Sequence, residues 1–464
     1  MSIPHTTHHQ PETSGAGEWP AQQDHAAVVA ELRRAVAERT TAEDSTATVA
    51  ALVDEQVTQW VREQASQGIA PPSPEVERHV TRSVLAALSG LGGLAPLLAQ
   101  DDVENIHIHG HDRVWCEYAN GTLARWPEPV ADSDNDLLNL LSAVFAHRGQ
   151  TSREWSPATP LGNLRIPEGG PLGARIAAMR EVTGGPRIAI RRHRLAHTTL
   201  TELCELGTLS EPVRHLLATA VAAGVNVLIS GGPAAGKTTL LRALCHEIPA
   251  HEHLVTVEDD AELGLHLDGD RHPLVTPAEA RTPNAEGIGE VCLDALLTQA
   301  LRHSPSRVLV GEVRGGEITS LLRALGNGAA GGMGTLHAAS ARAVPDRIAA
   351  LGQLADPPLP IAAAHRWTAS ALDLLVHVTR RIDPATGTRH RVVSELVEVG
   401  QVGDADVPDL TTLAAPDIDG GRAVPVTPPS PALLDRLEHA GLDREIFHRC
   451  LPTGMGAAWA GDRP

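Results

Sequence analysis

From Asp24 onward, Val28, Leu32, Ala35 and Val36, and then Val49, Leu52, Val53, Val57, Trp60 and Val61, recur at three- and four-residue intervals. That spacing predicts two amphipathic helices, with a third after Pro74 running through Val84 and Leu85 to Leu88. Their apolar stripes are expected to pack against the same chain rather than a partner. Over residues 101–130 the pattern becomes an alternation with an Asn-Gly turn at Asn120, which predicts antiparallel strands and a hairpin. A helix over Asp136 to Ala146 follows, then short strands near Ala174 to Met179 and Arg187 to Arg191. From about residue 200 to 400, helices alternate with short apolar strands at Val225 to Ser230, His253 to Glu258, Val308 to Glu312 and Leu374 to Thr379. Such alternation predicts a parallel sheet covered by helices. The chain then turns rich in Pro, Gly and Asp until a short helix at Pro431 to Ala440, and no internal repeat is evident.

The expected organisation is a disordered leader (1–23), a helical region (24–100), a mixed α/β domain (101–195), a linker (196–205), a helix-and-strand domain (206–400) and a Pro/Gly-rich C-terminal segment (401–464). In the leader, His5, His8 and His9 read as solvated rather than metal-bound. The first residues show no basic segment followed by an apolar run, so the protein is expected to stay inside the cell. Leu216 to Ala235 is uncharged over a length that raises the question of a membrane span, but Gly224, Asn226 and Pro233 favour helix, turn and buried strand.

Composition narrows the function. With 57 acidic and 38 basic residues the 464-residue chain carries a formal charge of -19, which argues against a main role in gripping nucleic acid or an anionic membrane surface. A hydrophobic fraction of 42% rules out wholesale disorder. Cys116, Cys204, Cys245, Cys292 and Cys450 are odd in number and form no CxxC pair, so neither a disulfide framework nor a zinc site is expected.

Among the basic residues Lys237 is the sole lysine, a compact charge on a flexible stem where arginine would place a planar fork. It lies in VNVLISGGPAAGKTTLLRAL, where an apolar strand precedes Gly231-x4-Gly236-Lys237-Thr238 and a helix follows. That is the context of a phosphate-binding P-loop. Backbone amides of Gly231, Gly232, Pro233, Ala234, Ala235, Gly236, Lys237, Thr238 and Thr239, proline excepted, would turn inward around phosphate oxygens. The helix N-terminus adds partial positive charge, Lys237 reaches the β- and γ-phosphates of ATP, and Thr238 offers its hydroxyl to Mg²⁺. Two further strands end in carboxylates, Glu258 with Asp259, Asp260 and Glu262, and Glu312. Strand C-termini of a parallel sheet converge on the ligand crevice, so one carboxylate can hold the Mg²⁺ shell while another activates water.

With TVED-x-x-E (Thr256 to Glu262), LR-x-x-P-x-R-x-x-VGEVRG (Leu301 to Gly315) and GTLHA (Gly334 to Ala338), the P-loop resembles the ordered motif set of the type II/type IV secretion ATPase superfamily, closest to the Tad/Flp pilus assembly ATPases. The resemblance runs from about Asp101 to Thr379, with a weaker echo in VVSELVEVG and PALLDRLEHAGLDREIF. It implies a RecA-like P-loop NTPase domain preceded by a smaller mixed α/β domain and N-terminal helices. It also implies Glu258 as catalytic glutamate, Glu312 as Walker B carboxylate, also a metal ligand with Thr238, and His337 as sensor of the γ-phosphate. Arg175 and Arg191 match the arginines that clamp nucleotide phosphates from the N-terminal domain.

The same resemblance implies a cytoplasmic, Mg²⁺-dependent, ring-forming ATPase, a hexamer, powering pilus assembly or secretion at inner-membrane platform proteins and meeting the membrane only through them. This chain departs from the pattern at Gly328-Ala329-Ala330-Gly331-Gly332, where the first histidine of the histidine box is missing, at Asn163 and at Ser306, both usually Asp. A nucleotide-binding regulatory ring subunit with little turnover is therefore one alternative. A conjugation-type DNA-transfer motor is another, weakened by the -19 charge and by a chain with only ten aromatic residues.

Overall fold

The N-terminal stripes close on one another. In the computed structural model, which describes residues 25–40, 46–148, 155–192, 198–281, 283, 287–326, 330–382, 389–404, 406–417 and 421–445, they form helices α1 (His25–Ala37), α2 (Thr46–Ser66) and α3 (Pro74–Ser89). Val28, Leu32, Val53, Trp60, Val80 and Val84 meet in their shared core, most of them the positions whose spacing predicted the helices. Ser73 caps α3 by accepting from the Val76 amide at 3.3 Å, with Pro74 in the first turn where its missing N–H costs nothing. The leader with His5, His8 and His9, along with Cys450, Gly328 and Ala329, lies outside the described residues.

The same unit continues through α4 (Ala95–Leu98), β1 (Val103–His109), β2 (Val114–Tyr118), β3 (Leu123–Arg125), α5 (Asp134–Arg148), β4 (Leu161–Ile166), β5 (Ala174–Met179) and β6 (Arg187–Arg192). Its six strands form one sheet in the order β3-β2-β1-β6-β5-β4, with the expected β2–β3 hairpin and His107 opposite Ala189 between β1 and β6. Ile106, Ile108, Ile176, Ile188 and Ile190 alternate onto its buried face.

The second unit takes the chain from Arg192 onward, together with Tyr118–Thr122 and Pro167–Ala174. It runs α6 (Leu200–Glu205), α7 (Glu211–Ala222), β7 (Val227–Gly231), α8 (Lys237–Cys245), β8 (Leu254–Glu258), β9 (Val275–Glu279), α9 (Leu293–Ala300), β10 (Arg307–Val313), α10 (Ile318–Gly326) and β11 (Met333–Leu336). It ends with α11 (Val344–Gly352), α12 (Ile361–Ala371), β12 (Leu374–Ile382), β13 (Arg389–Val402), β14 (Pro408–Pro416), β15 (Ala423–Pro425) and α13 (Pro431–His439). These strands form a nine-stranded sheet, β15-β14-β13-β12-β7-β11-β10-β8-β9, parallel from β12 to β9 and antiparallel from β12 to β15. Along β7 the side chains of Val227 and Ile229 enter the core shared with α7 and α8, and Leu228 the core shared with α10 and α11.

Two features add to the expected organisation. Residues 200–205, expected in the linker, are helical, and the reason is a capping box: Thr199 Oγ1 accepts from the Glu202 amide at 3.2 Å while Glu202 Oε2 accepts from the Thr199 amide at 2.8 Å. The Pro/Gly/Asp-rich segment after Gly400 also supplies two strands, because β13 offers an edge on which β14 and then β15 pair. Leu216 to Ala235 divides into α7, a turn, β7 and the start of the P-loop, and among the described residues no helix is long and apolar enough to cross a membrane.

Asn226, buried before β7, holds the sheet's N-terminal edge together. Its Nδ2 donates to Ala371 O at 2.8 Å, its Oδ1 accepts from the Gly332 amide at 2.9 Å, and its own amide donates to Asp373 at 2.7 Å. Asn226→Ala leaves the buried Gly332 N–H and Ala371 C=O unpaired, and an expected loss of about 2–4 kcal/mol in urea unfolding follows. A change under about 0.5 kcal/mol would show that these groups find other partners.

Candidate functional site

The turn between β7 and α8 is set by backbone constraints before any ligand is considered. A Cβ on Gly231 would lie 2.4 Å from Val378 O of the neighbouring strand, and Gly236 enters α8 at φ +100, a left-handed geometry that glycine adopts without strain. Ala234 holds φ +54, and Arg391 on β13 donates from Nε to its carbonyl at 3.3 Å. The N-terminus of α8 has no side-chain cap. Its first amides are thus available to an anion.

Lys237, the first residue of α8, is buried, and its Nζ donates to Gly232 O at 3.3 Å. The same amine lies 3.2 Å from His337 Nδ1 and 3.7 Å from Glu312 Oε1. His337, just past β11, sets Nε2 2.7 Å from Glu312 Oε1 and Nδ1 3.1 Å from Gly231 O. Three residues that follow or end three different strands, spread over a hundred positions of the chain, therefore meet at one edge of the sheet. Glu312 Oε2 accepts two bonds from Arg314, at 2.6 and 2.9 Å, and Arg314 also lies 3.4 Å from Asp259. Burial works to raise the Glu312 pKa, but the Arg314 bond and the charges of Arg314, Lys237 and His337 together hold it below the usual carboxylate range.

Glu258 is in the opposite condition. It is 2% exposed at the end of β8, and its Oε2 accepts from the amides of Glu262 at 2.8 Å and Leu263 at 2.9 Å. Burial pushes its pKa up to about 7, against the pull of those two amides. Two strand-end carboxylates thus sit in one unit with pKa values driven apart, Glu312 kept ionised and Glu258 poised near neutrality. That is the pattern of a charge-holding group beside an acid–base group.

Arg175 on β5 and Arg191 on β6 belong to the first unit, as does Asn163 on β4. Ser306 precedes β10, at the end of the parallel strands away from Glu312, where its Oγ accepts from the His253 amide at 3.1 Å. Ala330 to Gly332 likewise precede β11, away from His337. Sequence reasoning missed Arg314, Arg242 and Arg391. Arg314 was within reach, since two residues beyond Glu312 on an extended chain it shares that residue's face, whereas the other two act through backbone carbonyls remote in sequence.

Comparison with known proteins gives the chain's relatives. A family described as "Type II/IV secretion system protein" matches residues 137–408. A putative conjugal transfer protein of Mycobacterium tuberculosis is 37% identical over 303 residues, covering 64% of this chain and 83% of its own. PtlH, a type IV secretion system protein of Bordetella pertussis, is 31% identical over 329 residues, covering 65% of this chain and 92% of its own. The crystal structure of the VirB11 ATPase of the Brucella suis type IV secretion system is 25% identical, covering 67% of this chain and 96% of that chain at a TM-score of 0.34.

Proposed function

Because the chain belongs to the type II/IV secretion system protein family, we propose that its P-loop unit is RecA-like and that the protein is an ATPase motor of a secretion or pilus-assembly machine. The observation that carries this is the convergence of Lys237, Glu312 and His337 on an uncapped helix N-terminus at the C-terminal edge of parallel strands. ATP binds with its phosphates on the amides of Gly231 to Thr239, Pro233 excepted, and Lys237 leaves its present partners to take the β- and γ-phosphates. Arg314 keeps Glu312 ionised and in place, while His337, set between Lys237 and Glu312, reads the γ-phosphate. Glu258 takes the proton of the attacking water.

The residues fit Mg²⁺. Glu312 Oε1 is buried with no hydrogen bond of good geometry, and Thr238 stands beside Lys237 in the first turn of α8. Thr238 and Glu312 would hold the ion, which supplies neutralisation of phosphate charge. Arg175 and Arg191 serve as the phosphate clamp, each able to bond an oxygen pair. The working form is a homo-hexameric ring, cytoplasmic, reaching the inner membrane through platform proteins. ATP hydrolysis and pilus or secretion work follow from family membership together with this site; the ring, its partners and its location rest on family likeness.

Steady-state phosphate release by the purified protein with Mg²⁺, alongside light scattering with and without ATP, tests the proposal. Expected are turnover, a nucleotide-dependent oligomer, and a loss of about tenfold or more in kcat for His337→Ala. Nucleotide binding without turnover would instead support a regulatory ring subunit. Because one relative is described as a conjugal transfer protein, single-stranded DNA is included, and stimulation by it would favour a DNA-transfer motor over the acidic chain's expected indifference.

A further inference from the structure

Arg242 lies in the middle of α8, five residues beyond Lys237, and is 5% exposed. A guanidinium in that position has lost its water and must be repaid by acceptors. Its Nε donates to Leu263 O at 3.2 Å and its Nη2 to Glu262 O. These are the two residues whose amides are bonded by Glu258 Oε2, at 2.8 and 2.9 Å. The Glu262–Leu263 peptides are therefore gripped from both sides, their carbonyls by the P-loop helix and their amides by the carboxylate at the end of β8. The same loop fastens again further along, where Arg271 donates from Nε to His246 O, at the C-terminal end of α8, at 2.8 Å.

We propose that Arg242 is a positioning residue for Glu258, tying that carboxylate's place and charge to the P-loop helix through the Glu262–Leu263 peptides. The proposal rests on the reading of Glu258 as the proton acceptor in ATP hydrolysis. The helix that carries Lys237 and Thr238 cannot shift on nucleotide binding without pulling on the two peptides that hold Glu258. Nothing in the chemistry requires an arginine at this point of a P-loop helix, so its burial and its two-carbonyl grip need a cause of their own.

The electrostatics run the same way. The charged groups facing Glu258 are Arg242 on α8, Glu262 in the following loop and Glu279, its register partner on β9, while Cys245 on α8 is buried and neutral. Gly311 is what β10 presents to it. Arg242 is thus the cation that favours the ionised carboxylate, against burial and Glu262.

The test compares wild type, Arg242→Gln, Arg242→Lys and Glu258→Gln as full chains, by kcat, KM, the pH profile of kcat and thermal melting. For Arg242→Gln, kcat at pH 7 is expected to fall about tenfold to a hundredfold with KM changed by less than about threefold. The acid limb of the profile moves to higher pH, which a role in packing alone would not produce. Arg242→Lys keeps the charge and loses the fork, so the limb stays in place while kcat falls several-fold; if Arg242→Gln does not fold, wild-type kcat in Arg242→Lys overturns the proposal. An unmoved limb in Arg242→Gln beside an inactive Glu258→Gln overturns the positioning role alone. Wild-type turnover in Glu258→Gln overturns the reading beneath it.

Discussion

Glu258→Gln is expected to cut turnover by orders of magnitude and, at pH 8, to raise the melting temperature. The two effects have one source. Burial holds the Glu258 carboxyl near a pKa of about 7, above its ordinary 4.5, so the folded chain binds that proton more tightly than the unfolded chain does. The stability this contributes is complete below the ordinary carboxylate range and is lost as pH rises through about 7. At pH 8 the wild type bears a buried, penalised charge that glutamine lacks, while the amide oxygen of glutamine still accepts from Glu262 and Leu263. The variant should therefore be more stable by up to about 3 kcal/mol, several degrees in Tm, and the two melting curves should converge near pH 4. Loss of the proton acceptor costs about 10²- to 10⁴-fold in kcat. A variant less stable than wild type at pH 8 would mean that the two amides outweigh burial.

Lys237 gives the second large effect. Lys237→Ala should weaken nucleotide binding about a hundredfold or more, since it removes a buried cation held at the P-loop mouth against Glu312 and His337. Lys237→Arg should restore little of it, because a buried position with Gly232 O at 3.3 Å and His337 at 3.2 Å leaves no room for a planar fork. Binding of a fluorescent ADP analogue measures both. Since the chain has no other lysine, an amine-selective acylating reagent can mark only Lys237 and the α-amino group. Mass spectrometry should find Lys237 modified slowly in the free protein and protected by ADP with Mg²⁺. Modification at equal rates with and without nucleotide would remove Lys237 from the site.

The strands that carry chemistry were legible because each is a short apolar run closed by a polar signal: Val227 to Gly231 by the P-loop, Leu254 to Glu258 by its acidic cluster, Arg307 to Val313 by Glu312. The helical stripes from Val28 to Val84 were legible by spacing alone. The strands β4, β9, β11, β13, β14 and β15 were not, since Met333–Leu336 or Pro408–Pro416 becomes a strand only when a neighbour offers a ladder to complete.

The sequence by itself determined the P-loop pattern between β7 and α8, because such a loop is a local device in which a strand, six or so residues and a helix carry all its parts. It also determined which carboxylates end the neighbouring strands. Only the tertiary structure decided how those carboxylates are surrounded and charged. Glu258 and Glu312 are both glutamates at strand ends, yet one is buried on two amides with its pKa raised to about 7, while the other is held ionised by Arg314, Lys237 and His337. A residue's ionisation depends on solvent exclusion and on charges brought from distant parts of the chain, and neither is a property of local sequence.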